Sequence, residues 1–478
     1  MTTGGVSCSR GYILETRQKE PAGAAEGGAP LEGLHATVAV PPRQAGFWRQ
    51  WRAFVGPAVL ISVGYMDPGN WGTDLAGGAR YRYGLLWVIA LASAMAVVLQ
   101  VLAARLGVAT GRDLAQCCRD LFPRWMRWPN WIAMELAVAA TDLAELLGSA
   151  VALNLLFHIP VAWAILLTAA DVLLLLALRG LGMRMIEAVI AVFVATIGIS
   201  YAVEIFVLPE TRPDFLEVGG ALLKPGLRDQ GMALLAIGII GATVMPHNLF
   251  LHSALVQTRK LQRDDASIRN AIRFNTIDSI SALAAAFIVN AAILVLAGMV
   301  FYGRDHVVTA AGRVVAFTEG GDWIRMAHLT LAPLLGTSLA STLFAVALLA
   351  SGQSSTITGT LAGQVVMEGF MHWRLRPWVR RMISRMLAVV PAILVVSIRG
   401  ADSVTDLVNF SQVILCLLLP LALFPLLYLT SSRKVMGRWA SGGWLAAAGW
   451  GSALLITALD LYSLPASLKE AWRIITQG

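Results

Sequence analysis

Two apolar stretches, each long enough to cross a bilayer, are interrupted at their centres by proline. One reads GPAVLISVGYMDPGNWGTDLAGG, with Asp67-Pro68-Gly69-Asn70 in the middle. The other reads MALLAIGIIGATVMPHNLFLHSAL, with Met245-Pro246-His247-Asn248 in the middle. Proline removes one backbone hydrogen bond and clashes with the preceding turn, and a neighbouring glycine adds freedom. Each stretch is therefore expected to be two half-helices joined by unwound chain. In a membrane such a break is tolerated only where protein or a cavity surrounds it.

The rest of the chain places these breaks in a polytopic membrane protein. Of 478 residues 57% are hydrophobic and 14% charged, against roughly 25% charged in a soluble domain. A bilayer core asks for about 20 mostly apolar residues per helix. Eleven spans are expected, at about 54–78, 84–106, 130–156, 161–178, 185–208, 231–257, 278–301, 328–352, 382–398, 406–430 and 443–463. With the N-terminus inside, the cytoplasmic segments carry about twice as many Lys and Arg as the outer ones, which supports N-in and C-out. The net charge of +8 belongs to this bias and not to a nucleic-acid site. Residues 1–50 are rich in Gly, Ala, Pro and Glu and are expected to form a flexible cytoplasmic tail without a signal peptide. Residues 464–478 are expected to form a short C-terminal tail. Cys8, Cys117, Cys118 and Cys416 have no zinc-type spacing.

Pro246 lies 178 residues after Pro68. Five spans begin at each break, and five is odd, so the second set enters from the opposite side. That is a 5+5 inverted repeat, over 54–208 and 231–430, with the first helix of each repeat broken at the midplane. Span 11 stands outside it.

The residues at the breaks suit a cation. A buried aspartate in a bilayer is costly and a functional candidate by default. Asp67 and Asn70 can supply oxygen ligands; the alternative is that they cap the second half of span 1. Gly64 and Ala242, just before the two breaks, are candidate carbonyl donors, helped by the partial negative charge at a half-helix C-terminus. Met245 is either packing or a soft thioether ligand. Such a sulfur adds little for Mg²⁺ or Ca²⁺ and favours a divalent transition metal. His247 is a ligand, a proton carrier or a hydrogen-bonded buried histidine. In span 3, Glu135, Asp142 and Glu145 lie within roughly 80° of one helix face. They form either a proton path or salt bridges, for which Arg385 of span 9 is the natural partner. Gln412 of span 10 can face the cavity, and GQSSTITGT (352–360) is expected to be helix packing. Neither HExxH nor a Ser/His/Asp set is present, which argues against an intramembrane enzyme. An organic-solute carrier of the same fold is the other alternative.

DPGN and MPHN, together with ATDLAELLG (140–148), GRDLAQ (111–116), LHSALVQTR (251–259), LFAVALLASGQSS (343–355) and SQVILC (411–416), resemble the Nramp family, natural resistance-associated macrophage proteins. The likeness covers about residues 50–463 and is strongest to the bacterial proton-coupled manganese transporters. It implies an all-α LeuT-type fold and import of Mn²⁺ or Fe²⁺ with protons across the inner membrane. It implies no cofactor, and a monomer is the expectation. It assigns metal binding to Asp67, Asn70, Met245, the carbonyls of Gly64 and Ala242, and Gln412. It assigns the proton pathway to Asp67, His247, Asp142, Glu145 and Arg385, with Glu135 at a further acidic position. Arg380 and Arg381 flank the Arg385 match.

Overall fold

The computed structural model describes residues 35–42, 44–168, 183–203, 213–304, 306–308, 314–316, 323–327, 338–373, 375–400 and 403–476. The architecture is all-α, with two minimal strand pairs: Val38–Ala39 parallel to Arg259–Lys260, and His306–Val308 antiparallel to Val314–Ala316. Among the described residues eight segments are long and apolar enough to cross a bilayer. They are spans 2 (Leu86–Thr110), 3 (Arg124–Phe157), 5 (Met183–Ser200), 6 (Gln230–Thr258), 7 (Asp265–Val300), 9 (Val379–Ile398), 10 (Val404–Ser431) and 11 (Gly443–Lys469). The other three expected spans have recognisable counterparts. Span 1 is split into two short helices; span 4 is helical over Val161–Thr168; span 8 is the helix Ser338–Met371, whose small polar residues lower its hydropathy. The expected parts of spans 4, 5 and 8 at 169–178, 204–208 and 328–337 lie outside the described residues.

The broken spans sit at the centre. In span 6 the whole of Pro246–Leu255 is buried, as is Pro68–Ala79 in span 1. Span 3 packs along span 8, span 7 along the second half of span 1, and span 10 along the first half of span 6. Spans 9 and 11 form part of the outside, where Leu387, Leu394, Leu454 and Leu461 are exposed as lipid contacts.

Two boundaries differ from the sequence expectation. The last helix continues to Thr476 with Pro465 inside it, so 464–476 is not a separate tail. Residues 38–50 are ordered in part: Val38–Ala39 pairs with the chain after span 6, and Phe47–Phe54 is helical. Gln50 is buried and donates to the carbonyls of Pro41 (3.1 Å) and Pro42 (2.6 Å), and Phe54 stacks on Phe274 at 5.5 Å. Residues 1–34 lie outside the described residues. An apolar-run search misses this segment because the helix is short and only one face of it is buried.

Charge complementarity fixes the junction between Phe47–Phe54 and span 1. The carbonyls that end the short helix carry partial negative charge, and two guanidiniums meet them. Arg259 donates to the carbonyls of Ala53 (3.2 Å), Phe54 (3.3 Å) and Val55 (2.8 Å), and to Glu187 at 2.7 Å. Arg184 donates to the carbonyls of Arg52, Ala53 and Val55. On the far side, Asp278 accepts from the Ala58 N–H at 2.9 Å, at the start of Pro57–Ser62. Removing one member of a buried pair leaves a buried charge uncompensated and costs about 3–5 kcal/mol, while replacing both is often near neutral. Arg259→Leu should therefore lower the thermal midpoint of the detergent-solubilised protein, and Arg259→Leu/Glu187→Leu should recover part of the loss; the two midpoints, measured side by side, check this.

Candidate metal centre

The two breaks meet. The first half of span 1 ends in a 3₁₀ turn, Gly64–Met66; Asp67 is extended (φ −72°, ψ 168°), and Pro68 opens the second half. In span 6 the first half stops at Val244, and Pro246 opens the second. Between them Met245 has φ +37° and ψ 107°, a left-handed conformation costly for a side-chain-bearing residue. Such strain is of order 1–3 kcal/mol and persists where the surroundings impose it, typically at functional sites.

Asp67 is fully buried. Its Oδ1 accepts from the Asn70 N–H at 2.9 Å, so it does cap the second half-helix. Its Oδ2 has no hydrogen-bond partner. Both readings of this aspartate are thus compatible: one oxygen caps, and the other is available. The Asn70 Nδ2 donates to Asp67 Oδ1 (2.9 Å), the Ala242 carbonyl (3.1 Å) and the Gly64 carbonyl (3.3 Å). Oxygens from both breaks therefore converge within hydrogen-bond reach of one atom. The Met245 sulfur lies beside them: a Cβ placed on Gly64 would be 3.3 Å from Sδ. That sulfur also accepts from the Asn248 amide at 3.4 Å. Gln412 is buried with its Oε1 unpartnered, and a side chain at Gly69 would overlap its amide. All six expected ligand positions are thus at or next to the breaks, and their donor set is mixed oxygen and sulfur. His247 follows Pro246 and is buried, with its Nδ1 unpartnered.

The acids of span 3 are paired. Arg381 forms salt bridges with Asp142 and with Glu145, the latter at 3.1 Å, and all three side chains are fully buried. Thr356 donates to Glu145 Oε2 at 3.2 Å and accepts from Arg381 at 3.1 Å. Glu135 pairs with Arg380 at 2.8 Å and keeps 26% exposure, so it is the least buried acid of the row. The expectation that Arg385 bridges the acids is corrected: Arg381 is the guanidinium bridging both carboxylates. Arg385 lies one turn on and donates to the carbonyls of Asp142 (3.2 Å) and Thr168 (3.4 Å). Positions 381 and 385 share a helix face, so spacing alone does not separate them.

Other residues enter only with the structure. Asn290 of span 7 donates to the Tyr65 carbonyl (2.8 Å) and to Asn70 Oδ1 (3.3 Å). Gln100 of span 2 donates to the Tyr65 hydroxyl at 2.8 Å and bonds His252 Nδ1 at 2.9 Å. Asp460 of span 11 is buried beside the Cys416 thiol of span 10. The signal for all three was a lone polar residue in a long apolar helix. The 352–360 stretch does pack closely, but its Thr356 also bonds Glu145, and nearby Ser351 donates to the Met66 carbonyl at 2.6 Å.

Known proteins share the family and the fold. The family profile described as natural resistance-associated macrophage protein-like (Nramp) matches residues 58–466. A divalent metal cation transporter MntH of Nostoc sp. is 47% identical over 454 residues, covering 94% of this chain and 97% of the relative. One of the same description from Brucella suis is 46% identical over 437 residues, covering 91% and 92%. The crystal structure of a manganese transporter from Eremococcus coleocola superposes with a TM-score of 0.81 at 36% identity, covering 93% of this chain and 92% of that one. A nucleobase-cation-symport-1 family transporter, at 14% identity and a TM-score of 0.52, shares the fold alone. With broken spans 1 and 6 packed together and a profile match over most of its length, the chain belongs to the Nramp family.

Proposed function

We propose that the protein imports divalent transition metal ions, Mn²⁺ and also Fe²⁺, together with protons, across the bacterial inner membrane by alternating access. The observation that carries the reading is the convergence of Asp67 and the Gly64 and Ala242 carbonyls on Asn70, beside the Met245 sulfur. Oxygen donors alone suit Mg²⁺ and Ca²⁺; an added thioether favours softer divalent ions. In binding metal, Asn70 turns its amide oxygen toward the ion and withdraws its N–H donors from the oxygens they now hold. An organic carboxylate would meet the Asp67 carboxyl at this point, which makes a solute carrier of the amino-acid type the weaker reading.

Metal enters from the outer side, and binding shifts the carrier toward the inward-open state through differential affinity for the two states. The junction held by Arg259, Arg184 and Asp278 releases as the first half of span 1 moves. Protons pass from Asp67 by way of His247 to the Asp142–Glu145–Arg381 cluster and leave through Glu135–Arg380. Glu135 lies ten residues before Glu145, about 15 Å along the helix, and its partial exposure supports it as the exit. Each positive charge carried inward gains about 2.3 kcal/mol per 100 mV of membrane potential. The N-terminus inside and the C-terminus outside follow from the distribution of basic residues, and the carrier works as a monomer without a cofactor.

Four outcomes are expected in proteoliposomes. Asp67→Ala should abolish Mn²⁺ uptake, and normal uptake by that variant would remove Asp67 from the site. Met245→Ala should keep Mn²⁺ uptake but admit Ca²⁺ or Mg²⁺ about tenfold better relative to it, equivalent to ~1.4 kcal/mol of lost discrimination; competition assays measure this ratio. Mn²⁺ uptake by the wild type should acidify the lumen, read with a trapped pH-sensitive dye. Arg381→Gln should lower the protons moved per metal ion, whereas an unchanged ratio would exclude the cluster from the path.

A further inference from the structure

A second site lies on the lipid-facing side, away from the metal centre. A groove of about 300 Å³ runs between spans 2 and 7 and is closed at one end by the start of span 11. Val97 and Val101 of span 2, Ile280 of span 7 and Leu445 of span 11 form apolar walls. Positions 97, 101 and 105 follow one another at single-turn intervals, so the stripe on span 2 is about 12 Å long and ends at Arg105. Thr276 lines the groove from span 7, one turn before Ile280.

Arg105 does not fit an ordinary packing role. Its Nε donates to the Trp439 carbonyl at 2.8 Å, which fixes the guanidinium plane against the chain leading to span 11. Its terminal nitrogens make no hydrogen bond, and among the described residues no carboxylate pairs with it. Of the other arginines buried in the transporter core, Arg259, Arg380 and Arg381 each have a carboxylate, and Arg385 donates to the carbonyls of Asp142 and Thr168. A half-buried cation beside apolar walls is costly unless an anion meets it. Inside a bilayer the abundant anion attached to an apolar chain is a phospholipid phosphate, and Arg binds phosphate through paired N–H donors.

We propose that this groove is a binding site for an anionic phospholipid, with the headgroup phosphate on the terminal nitrogens of Arg105 and an acyl chain along Val97, Val101, Ile280 and Leu445. The groove joins span 2 to span 7, and span 7 also carries Asp278, which holds the start of span 1, and Asn290, which bonds Asn70. A bound lipid therefore braces two helices that position the metal centre.

The test uses the full chain in detergent, with phosphatidylglycerol, phosphatidylcholine of the same acyl chains, or water-soluble glycerol phosphate added separately. The thermal midpoint of the wild type should rise by several degrees with phosphatidylglycerol and much less with the other two. Arg105→Gln removes the charge, and Val101→Trp fills the groove while leaving the charge in place; each should lose at least half of that rise. Arg105→Lys should keep most of it. An equal rise with phosphatidylcholine or glycerol phosphate, no rise in the wild type, or a full rise in Val101→Trp would overturn the proposal. Val101→Trp decides the matter if Arg105→Gln does not fold.

Discussion

Peptide groups freed by a helix break have no water to turn to in a bilayer, and most of what surrounds spans 1 and 6 answers that need. The Gly64 and Ala242 carbonyls are met by Asn70, the Tyr65 carbonyl by Asn290, and the Met66 carbonyl by Ser351 and the Trp71 indole. These donors come from spans 1, 7 and 8, so satisfying the breaks ties the two repeats to each other. The residues that satisfy the backbone are also those that shape the ion site. Structure and proposed function are therefore hard to separate here: Asn70 is both a backbone donor and a candidate ligand.

The same economy governs charge. Four acids are held by arginines from another segment, Glu135 by Arg380, Asp142 and Glu145 by Arg381, and Glu187 by Arg259. Desolvation makes such pairs poor sources of net stability. Their placement instead fixes which helix faces meet: span 3 against span 9, and span 5 against the chain after span 6. Span 3 thereby presents its acids to span 8, where Thr356 completes the bonding.

Much of this was legible in the sequence because the membrane punishes exceptions. Proline and charge are rare inside apolar spans, so DPGN, MPHN and the three acids of span 3 stood out. Their convergence followed from the odd number of spans between the breaks. What the sequence left open was decided by rotation and by local order. Arg380, Arg381 and Arg385 are close enough in sequence that only the packing of span 9 on span 3 assigns them. Asn290 and Gln100 lacked a neighbouring motif. Helical order after 463 and before 50 escaped because neither segment reads as an apolar run.

The pairing of Val38–Ala39 with Arg259–Lys260 has a kinematic consequence. It closes a ring of chain: from the strand through Phe47–Phe54 into the first half of span 1, across to the second half of span 6 packed against it, and back to the strand that follows span 6. Within such a ring the start of one broken helix and the end of the other share a common anchor. A displacement of the first is carried to the second through the 17 residues between Ala39 and Pro57 and the strand pair, unless that pair parts. The segment that looked least structured thus sets the slack available where the first half of span 1 begins.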